Sequence, residues 1–305
     1  MASKPQVIHK LVVIGVGLIG GSCAMALRRA GVVGEVVGIG RTQSNLDVAL
    51  ERGVIDRGCT LSGSWTRETA DADVVLLSTP VAQFPALFRA LAGAVGPATV
   101  ITDAGSTKQD VLQAAQSCLG TVAPRFVAGH PIAGTEHTGA AAAFPELFAG
   151  RSVIVTPTAD TAPSALAKVT ALWKACGARV GVLTPARHDA IFAAVSHLPH
   201  VLAFALVAEL AARPDAAIYF EHAASGFRDF TRIAGGSPEM WRDIALANRA
   251  ALLDEMDRYG HALAHLRALL AAGDGNELAA LFAQASTARR EWELQREQPV
   301  ARDGD

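Results

Sequence analysis

Five groups of small, polar and ionisable residues carry the chemistry this chain could do. The first is Gly15-Val16-Gly17-Leu18-Ile19-Gly20, which follows the apolar run Leu11-Val12-Val13-Ile14 and opens a segment of helical spacing over residues 22–30. Strand, glycine turn and helix is the order that a pyrophosphate site requires. One glycine turns the chain, one keeps side chains away from the phosphates, and one lets the helix pack on the strand. The helix N-terminus then offers free N–H groups and the positive end of its dipole. Gly15, Gly17, Leu18, Ile19 and Gly20 are therefore expected to hold a dinucleotide. The second group is Ser78, Thr79 and Pro80, and the third is Asp103-Ala104-Gly105-Ser106-Thr107-Lys108. The fourth is Gly129-His130-Pro131-Ile132-Ala133-Gly134-Thr135-Glu136. The fifth joins Ser196-His197-Leu198-Pro199-His200 to Phe227-Arg228-Asp229-Phe230-Thr231-Arg232 further along. Groups two to four fall where strands should end, and open α/β sheets bind ligands at the carboxyl ends of their strands. Ser78, Thr79 and Pro80 can line the cofactor ribose. Asp103 can position Ser106 or the cofactor, or simply end its strand.

Two halves of different periodicity must position these groups. In the first half, continuous apolar runs at residues 9–14, 35–39, 74–78, 99–103, 126–129, 152–156 and 179–183 read as buried parallel strands, with helical segments such as 45–52 and 108–118 between them. The expected fold class is α/β: a doubly wound sheet, followed from Pro185 by helices alone. Residues 187–212 form one long helical pattern interrupted by Pro199. Ser237-Pro238-Glu239 starts a helix that runs through Trp241, Ile244, Leu252, Met256, Leu263 and Leu266 to a stop at Gly273. Asn276 is expected to cap a last helix carrying Leu278, Leu281, Phe282 and Trp292. This gives a dinucleotide-binding domain over residues 8–184, a helical domain over 185–297 and a disordered tail over 298–305. The helices show more apolar surface than a small bundle needs, so they are expected to form a homodimer.

Composition narrows the function classes. The chain has 305 residues, 18% of them charged, and a net charge of −2 without long runs of one sign. Neither a nucleic-acid partner nor an acidic membrane surface is expected. No apolar stretch is expected to span a bilayer, and the N-terminus lacks the basic, apolar and cleavage regions of a signal peptide. Cys23, Cys59, Cys118 and Cys176 form no CxxC pair and read as reduced thiols in a cytoplasmic protein. The place of the acid that would bond a ribose 2′-OH is held by Gly40, and Arg41 follows it. A guanidinium can grip a 2′-phosphate, and Thr42 and Ser44 add hydroxyl donors. This favours NADP; the alternative is that Arg41 is merely solvated and NAD serves equally.

The glycine loop, the residue 103–108 loop, GHPIAGTE, SHLPH and DFTRIAGGSPEMW together resemble the prephenate/arogenate dehydrogenase (cyclohexadienyl dehydrogenase) family, from about residue 10 to beyond 245. The resemblance implies a Rossmann-type domain followed by an all-helical dimerisation domain. It implies oxidative decarboxylation of a cyclohexadienol to a phenol in tyrosine biosynthesis, with NADP or NAD as cofactor. By that resemblance His130 is the catalytic histidine, whose neutral imidazole accepts the hydroxyl proton as hydride departs. Ser106 would bond that histidine and the hydroxyl; its other reading is a helix N-cap before Lys108. Arg232 would bind a substrate carboxylate, with Arg228 as a surface neighbour. His200 would contact substrate with His197 in support; the other reading of both is buried, bonded core histidines. Glu136 would gate or ion-pair near the entrance, and Trp241 would pack near the site. No metal is expected, because hydride transfer needs none. No appended regulatory module is expected. Two rivals share the cofactor fold. A β-hydroxyacid or 6-phosphogluconate dehydrogenase would carry a catalytic lysine in the helical half, yet no lysine follows Lys174. A non-catalytic NADP-binding redox regulator would not need His130, Ser106 and Arg232.

Overall fold

A computed structural model describes residues 8–135 and 137–297. The first part of the chain runs β1 (Ile8–Ile14), α1 (Leu18–Arg29), β2 (Val33–Gly40), α2 (Gln43–Glu51), β3 (Arg57–Thr60), β4 (Val74–Leu77), α3 (Phe84–Ala92), β5 (Val100–Asp103), α4 (Gln109–Leu119) and β6 (Phe126–Val127). It continues with β7 (Gly129–Pro131), β8 (Ser152–Val155), α5 (Pro163–Ala175) and β9 (Arg179–Val182). Helices α6 (Pro185–Phe192), α7 (Leu198–Ala211), α8 (Ala216–Glu221), α9 (Ser225–Thr231), α10 (Pro238–Ala247), α11 (Arg249–Ala272) and α12 (Gly275–Glu297) complete it.

Six parallel strands form one sheet in the order β3-β2-β1-β4-β5-β6. The order reverses between β1 and β4, so a crevice opens at their carboxyl ends. Alternate residues of β1 serve opposite faces. Leu11 and Val13 pack with Leu27 and Trp173, whereas Val12 and Ile14 pack with Phe84, Phe88 and Phe126. Both faces are covered, which is why the strand reads as an unbroken apolar run. This is the expected Rossmann-type doubly wound sheet.

Several boundaries differ from the sequence reading. The run at 126–129 is two strands in two sheets: β6 ends the large sheet, and β7 joins β8 and β9 in a small one, antiparallel to β8. β3 escaped notice because it is an edge strand with the polar sequence RGCT, held by backbone pairing to β2. The long helical pattern after Pro185 is interrupted before Pro199, by a wide π turn over Ala193–His197. This is where a proline ring would otherwise meet the carbonyl four residues back. The helix begun at Ser237, whose hydroxyl accepts from the Met240 N–H, stops at Asn248 instead of running on to Gly273. The last helix is capped by Asp274, which accepts from the Glu277 N–H, and not by Asn276. The helical run Pro185–Ala211 is, by length and a mean hydropathy of 1.9, apolar enough to cross a membrane, contrary to expectation. Its His188, Asp189 and His197 are nevertheless buried and bonded to other parts of the fold.

Among the described residues, those up to Leu252 pack as one compact unit, so α6 to α10 cluster with the sheets; those from Leu253 form a second unit. Exposed apolar side chains mark the helices of each: Leu206, Phe220 and Leu246 in the first, Met256, Leu263 and Phe282 in the second. The tail over 298–305 lies outside the described residues, as does Glu136.

Candidate active site

The glycine loop divides its labour as its spacing implies. Gly15 has φ +100°, and an added Cβ would lie 2.6 Å from the Ser78 carbonyl oxygen. At Gly20 a Cβ would meet the Ser78 hydroxyl and the Gly15 carbonyl, so the loop, α1 and the end of β4 are in close contact. Ser78 secures that contact by donating its hydroxyl to the Gly15 carbonyl at 2.7 Å. A Cβ on Gly17, in contrast, would meet nothing within 4 Å. Gly17 is also the N-cap of α1, with no side-chain cap and no acid in the first turn. Thr79, at the end of β4, keeps a buried hydroxyl oxygen without a hydrogen-bond partner. An open helix N-terminus beside an unpartnered hydroxyl fits a dinucleotide: Gly15, Gly17, Leu18, Ile19 and Gly20 around the pyrophosphate, with Ser78, Thr79 and Pro80 alongside. Arg41, Thr42 and Ser44 stand exposed just after β2.

The loop after β5 builds the next layer. Asp103 is fully buried, and its carboxylate accepts from the N–H groups of Gly105 at 2.7 Å and Gly129 at 3.0 Å. The equally buried Lys108 reaches Asp103 at 2.5 Å and the Gly129 carbonyl at 2.7 Å. Both backbone groups of Gly129 are thus clamped, and a Cβ there would stand 3.0 Å from the Asp103 carbonyl oxygen. The clamp diverts the chain from β6 into β7 and places the next residue, His130. Asp103, expected to position Ser106 or the cofactor or simply to end its strand, anchors two loops through a buried and engaged carboxylate. Ser106 is half-buried and makes no hydrogen bond to His130 among the described residues. Nor does Ser106 cap α4, which has no side-chain cap of its own.

His130 instead meets His188. Its Nδ1 lies 2.8 Å from His188 Nε2, and the Phe192 ring packs edge-on at 4.9 Å. His188 Nδ1 lies 2.8 Å from Asp189, whose two oxygens accept from the N–H groups of Lys108 and Gln109, each at 2.9 Å. The acid that serves the start of α4 thus comes from α6. Burial, helped by His188, Lys108 and His197, holds the His130 imidazole well below its usual range. Burial also lowers His188, against the pull of Asp189. For Asp189 burial pushes upward, but the bonds from His188, Gln109 and Lys108 outweigh it and keep the carboxyl low.

A second histidine pair sits beyond the wide turn. His197 is buried, and its Nδ1 lies 3.1 Å from Asn248 Nδ2, which also donates to the Asp189 carbonyl at 2.8 Å. The second bond fixes which end of the Asn248 amide faces inward, so His197 Nδ1 accepts and its Nε2 carries the proton. That Nε2 is buried with no partner among the described residues. Burial, with His188 and His200 adding to it against Asp189, brings the His197 pKa down to about 4. His200 donates Nδ1–H to the Ser196 carbonyl at 2.8 Å and stacks on Trp241 with ring centroids 3.5 Å apart. Burial lowers its pKa, and the nearby Arg232 charge lowers it further. His197, His200, Trp241 and Arg232 therefore gather together. His188, Asp189, Lys108 and Asn248 were missed. The available signal was a His-Asp pair four and three residues before Phe192, on the buried side of α6. Among the described residues no group of three or more His, Cys, Asp or Glu side chains could hold a metal ion.

A dinucleotide crevice at the strand ends, bordered by a buried neutral histidine, defines an oxidoreductase of the Rossmann type. Comparisons narrow the class. Models of the prephenate dehydrogenase nucleotide-binding domain and dimerization domain match residues 23–182 and 184–284. The cyclohexadienyl dehydrogenase of Zymomonas mobilis is 33% identical, over 93% of this chain and 96% of its own. The prephenate dehydrogenase of Bacillus subtilis is 34% identical, over 93% of this chain and 76% of its own. The A. aeolicus prephenate dehydrogenase, solved in complex with hydroxyphenyl propionate and NAD+, superposes with a TM-score of 0.88 at 35% identity, covering 94% of this chain and 99% of that one. The arogenate dehydrogenase of Synechocystis gives 0.76 at 32% identity, over 93% and 99%. The chain belongs to the prephenate dehydrogenase family.

Proposed function

We propose that the protein oxidatively decarboxylates prephenate, arogenate or both, yielding 4-hydroxyphenylpyruvate or tyrosine, with NADP+ preferred over NAD+. The observation that carries this reading is His130: a neutral imidazole held through Nδ1 on β7, next to the Gly129 that Asp103 at the end of β5 anchors. The bound nicotinamide supplies the hydride acceptor. As hydride leaves ring C4, His130 takes the proton of the C4 hydroxyl through Nε2, which has no protein partner among the described residues. The ring carboxylate then departs as CO2, its bonding electrons complete the aromatic ring, and the resulting phenolate oxygen takes back the proton held by His130. Ser106, in the same loop cluster, is assigned to the hydroxyl. Arg232 is assigned to a substrate carboxylate, a fitting partner because a guanidinium stays charged and binds in two-pronged fashion. His200, on its Trp241 platform, and the His197 Nε2–H offer further contacts to substrate oxygens. Arg41, with Thr42 and Ser44, favours the 2′-phosphate, although the A. aeolicus relative was solved with NAD+. The exposed apolar helices and the match to a dimerization domain support a homodimer. A cytoplasmic location follows from this biosynthetic role.

The deciding experiment is a two-by-two steady-state comparison of prephenate and arogenate, each with NAD+ and NADP+, read by the absorbance of the reduced cofactor. Turnover of at least one substrate, faster with NADP+, is expected. No turnover of either substrate defeats the reading, and equal use of both cofactors defeats the assignment of Arg41.

A further inference from the structure

His188 stands directly behind His130 with Asp189 behind it in turn, and the protons along these contacts can be counted. Asp189 accepts from the backbone N–H groups of Lys108 and Gln109. It is an acceptor only, so His188 Nδ1, 2.8 Å from it, carries a proton. A neutral imidazole holds one proton, so His188 Nε2 is bare. His130 Nδ1, 2.8 Å from that bare nitrogen, must then be the donor. His188 Nε2 is engaged as that acceptor, so the bare nitrogen that faces away from the pair is His130 Nε2.

We propose that His188 and Asp189 are positioning residues that fix the tautomer of His130, keeping Nε2 unprotonated and available to the substrate hydroxyl. The inference rests on the reading of His130 as the base. The order of the three groups matters. A carboxylate placed directly on His130 Nδ1 would orient the ring but would also draw a proton onto it before substrate arrives. Interposing a neutral histidine transmits the orientation and keeps the negative charge one ring away. The surroundings act in the same direction: His188 from α6, Lys108 at the start of α4 and His197 from the wide turn all disfavour a charged His130 in the resting enzyme. When Nε2 takes the hydroxyl proton, the Nδ1–H donor keeps the same acceptor, so nothing behind the ring has to move. The root of the relay is the first turn of α4, whose N–H groups hold Asp189 ionised.

The test reads the tautomer without relying on turnover. Long-range proton–nitrogen correlation spectra of the holoenzyme, labelled with nitrogen-15 histidine and assigned by comparison with His130→Asn, are expected to show Nδ1 protonated and Nε2 bare at neutral pH. His188→Phe removes the acceptor, so the His130 signals should move toward the Nε2–H form. Its kcat should fall by about 10²-fold or more, within the range that general-base catalysis contributes, with KM changed less than about twofold. His188→Gln, whose amide can accept from His130 and donate to Asp189, should keep Nε2 bare and recover most of kcat. A protonated Nε2 in the unaltered enzyme overturns the proposal, as does His188→Phe with unchanged spectra and kcat. A bare Nε2 in an enzyme that turns over neither substrate supports the relay and counts against the functional reading alone.

Discussion

Lowering the pH should destabilise this fold through His197 in a way that can be isolated. Its pKa is 6.5 in the unfolded chain and about 4 in the folded one. A depressed folded-state pKa means that the unfolded chain binds the proton more readily, so stability falls as pH falls. The contribution is intact above pH 6.5 and is lost progressively toward pH 4. At about 1.4 kcal/mol per pKa unit, the full loss is about 3 kcal/mol, of which about 2 kcal/mol is gone by pH 5. The ring is buried, Asn248 bonds its Nδ1, and the attraction of Asp189 offsets the burial only in part. Urea unfolding at fixed protein concentration, at pH 7, 6 and 5, would be run on the unaltered protein and on His197→Phe. The variant should start less stable, because Asn248 loses an acceptor, but its stability should decline less with acidification by about 2 kcal/mol at pH 5. Parallel pH dependences for the two proteins would refute the reasoning and would mean that His197 is no more hindered from charging than a solvated histidine.

Other changes probe the chemistry. His130→Asn should lower kcat by about 10²- to 10⁴-fold with little change in KM, since the proton is accepted only as the reaction proceeds; an unchanged kcat removes it as the base. Arg232→Ala should mainly raise KM, by about 10- to 150-fold if a charge-assisted bond worth about 1.5–3 kcal/mol is lost; unaltered substrate affinity places the carboxylate elsewhere. Gly17→Val should fold, because φ is −119° and nothing lies within 4 Å of the new Cβ. Cofactor binding by calorimetry should nevertheless disappear in this variant, and retained affinity would move the phosphates away from α1. Arg41→Asp should shift the ratio of kcat/KM values toward NAD+, and an unchanged ratio would show that Arg41 does not touch the 2′-phosphate.

The parts of this molecule that were legible from sequence are those set by local rules. The strand–glycine–helix order, the unbroken apolar strands and the serine-proline helix start each follow from short-range sterics and two-sided burial. What stayed hidden depends on pairings across the chain. β3 has no apolar run because backbone bonds to β2 suffice to hold an edge strand. His188 and Asp189 read as an ordinary polar step of a helix until the start of α4 is seen against them. Lys108 carried no sign of its role in the sequence; it is fully buried because Asp103 of its own loop and the carbonyl of the more distant Gly129 both engage its ammonium. The gathering of His197, His200 and Trp241 was readable from motif resemblance, whereas the role of Asn248 in choosing the His197 tautomer was not.

The π turn over Ala193–His197 has a further effect on how these groups are aimed. A turn of this kind accommodates one residue more than the regular spiral, and each residue of an α-helix advances the side chains by about 100°. The relay histidine on one side of the turn and the Trp241-stacked histidine on the other are consequently set at independent azimuths on what is otherwise one rod. Excising a single residue there, such as the exposed Val195, would heal the spiral and swing the downstream rings by roughly a quarter of a revolution. The extra residue thus acts as a fixed offset between two halves of a camshaft, and the fold depends on it to bring both halves to bear on the same small volume.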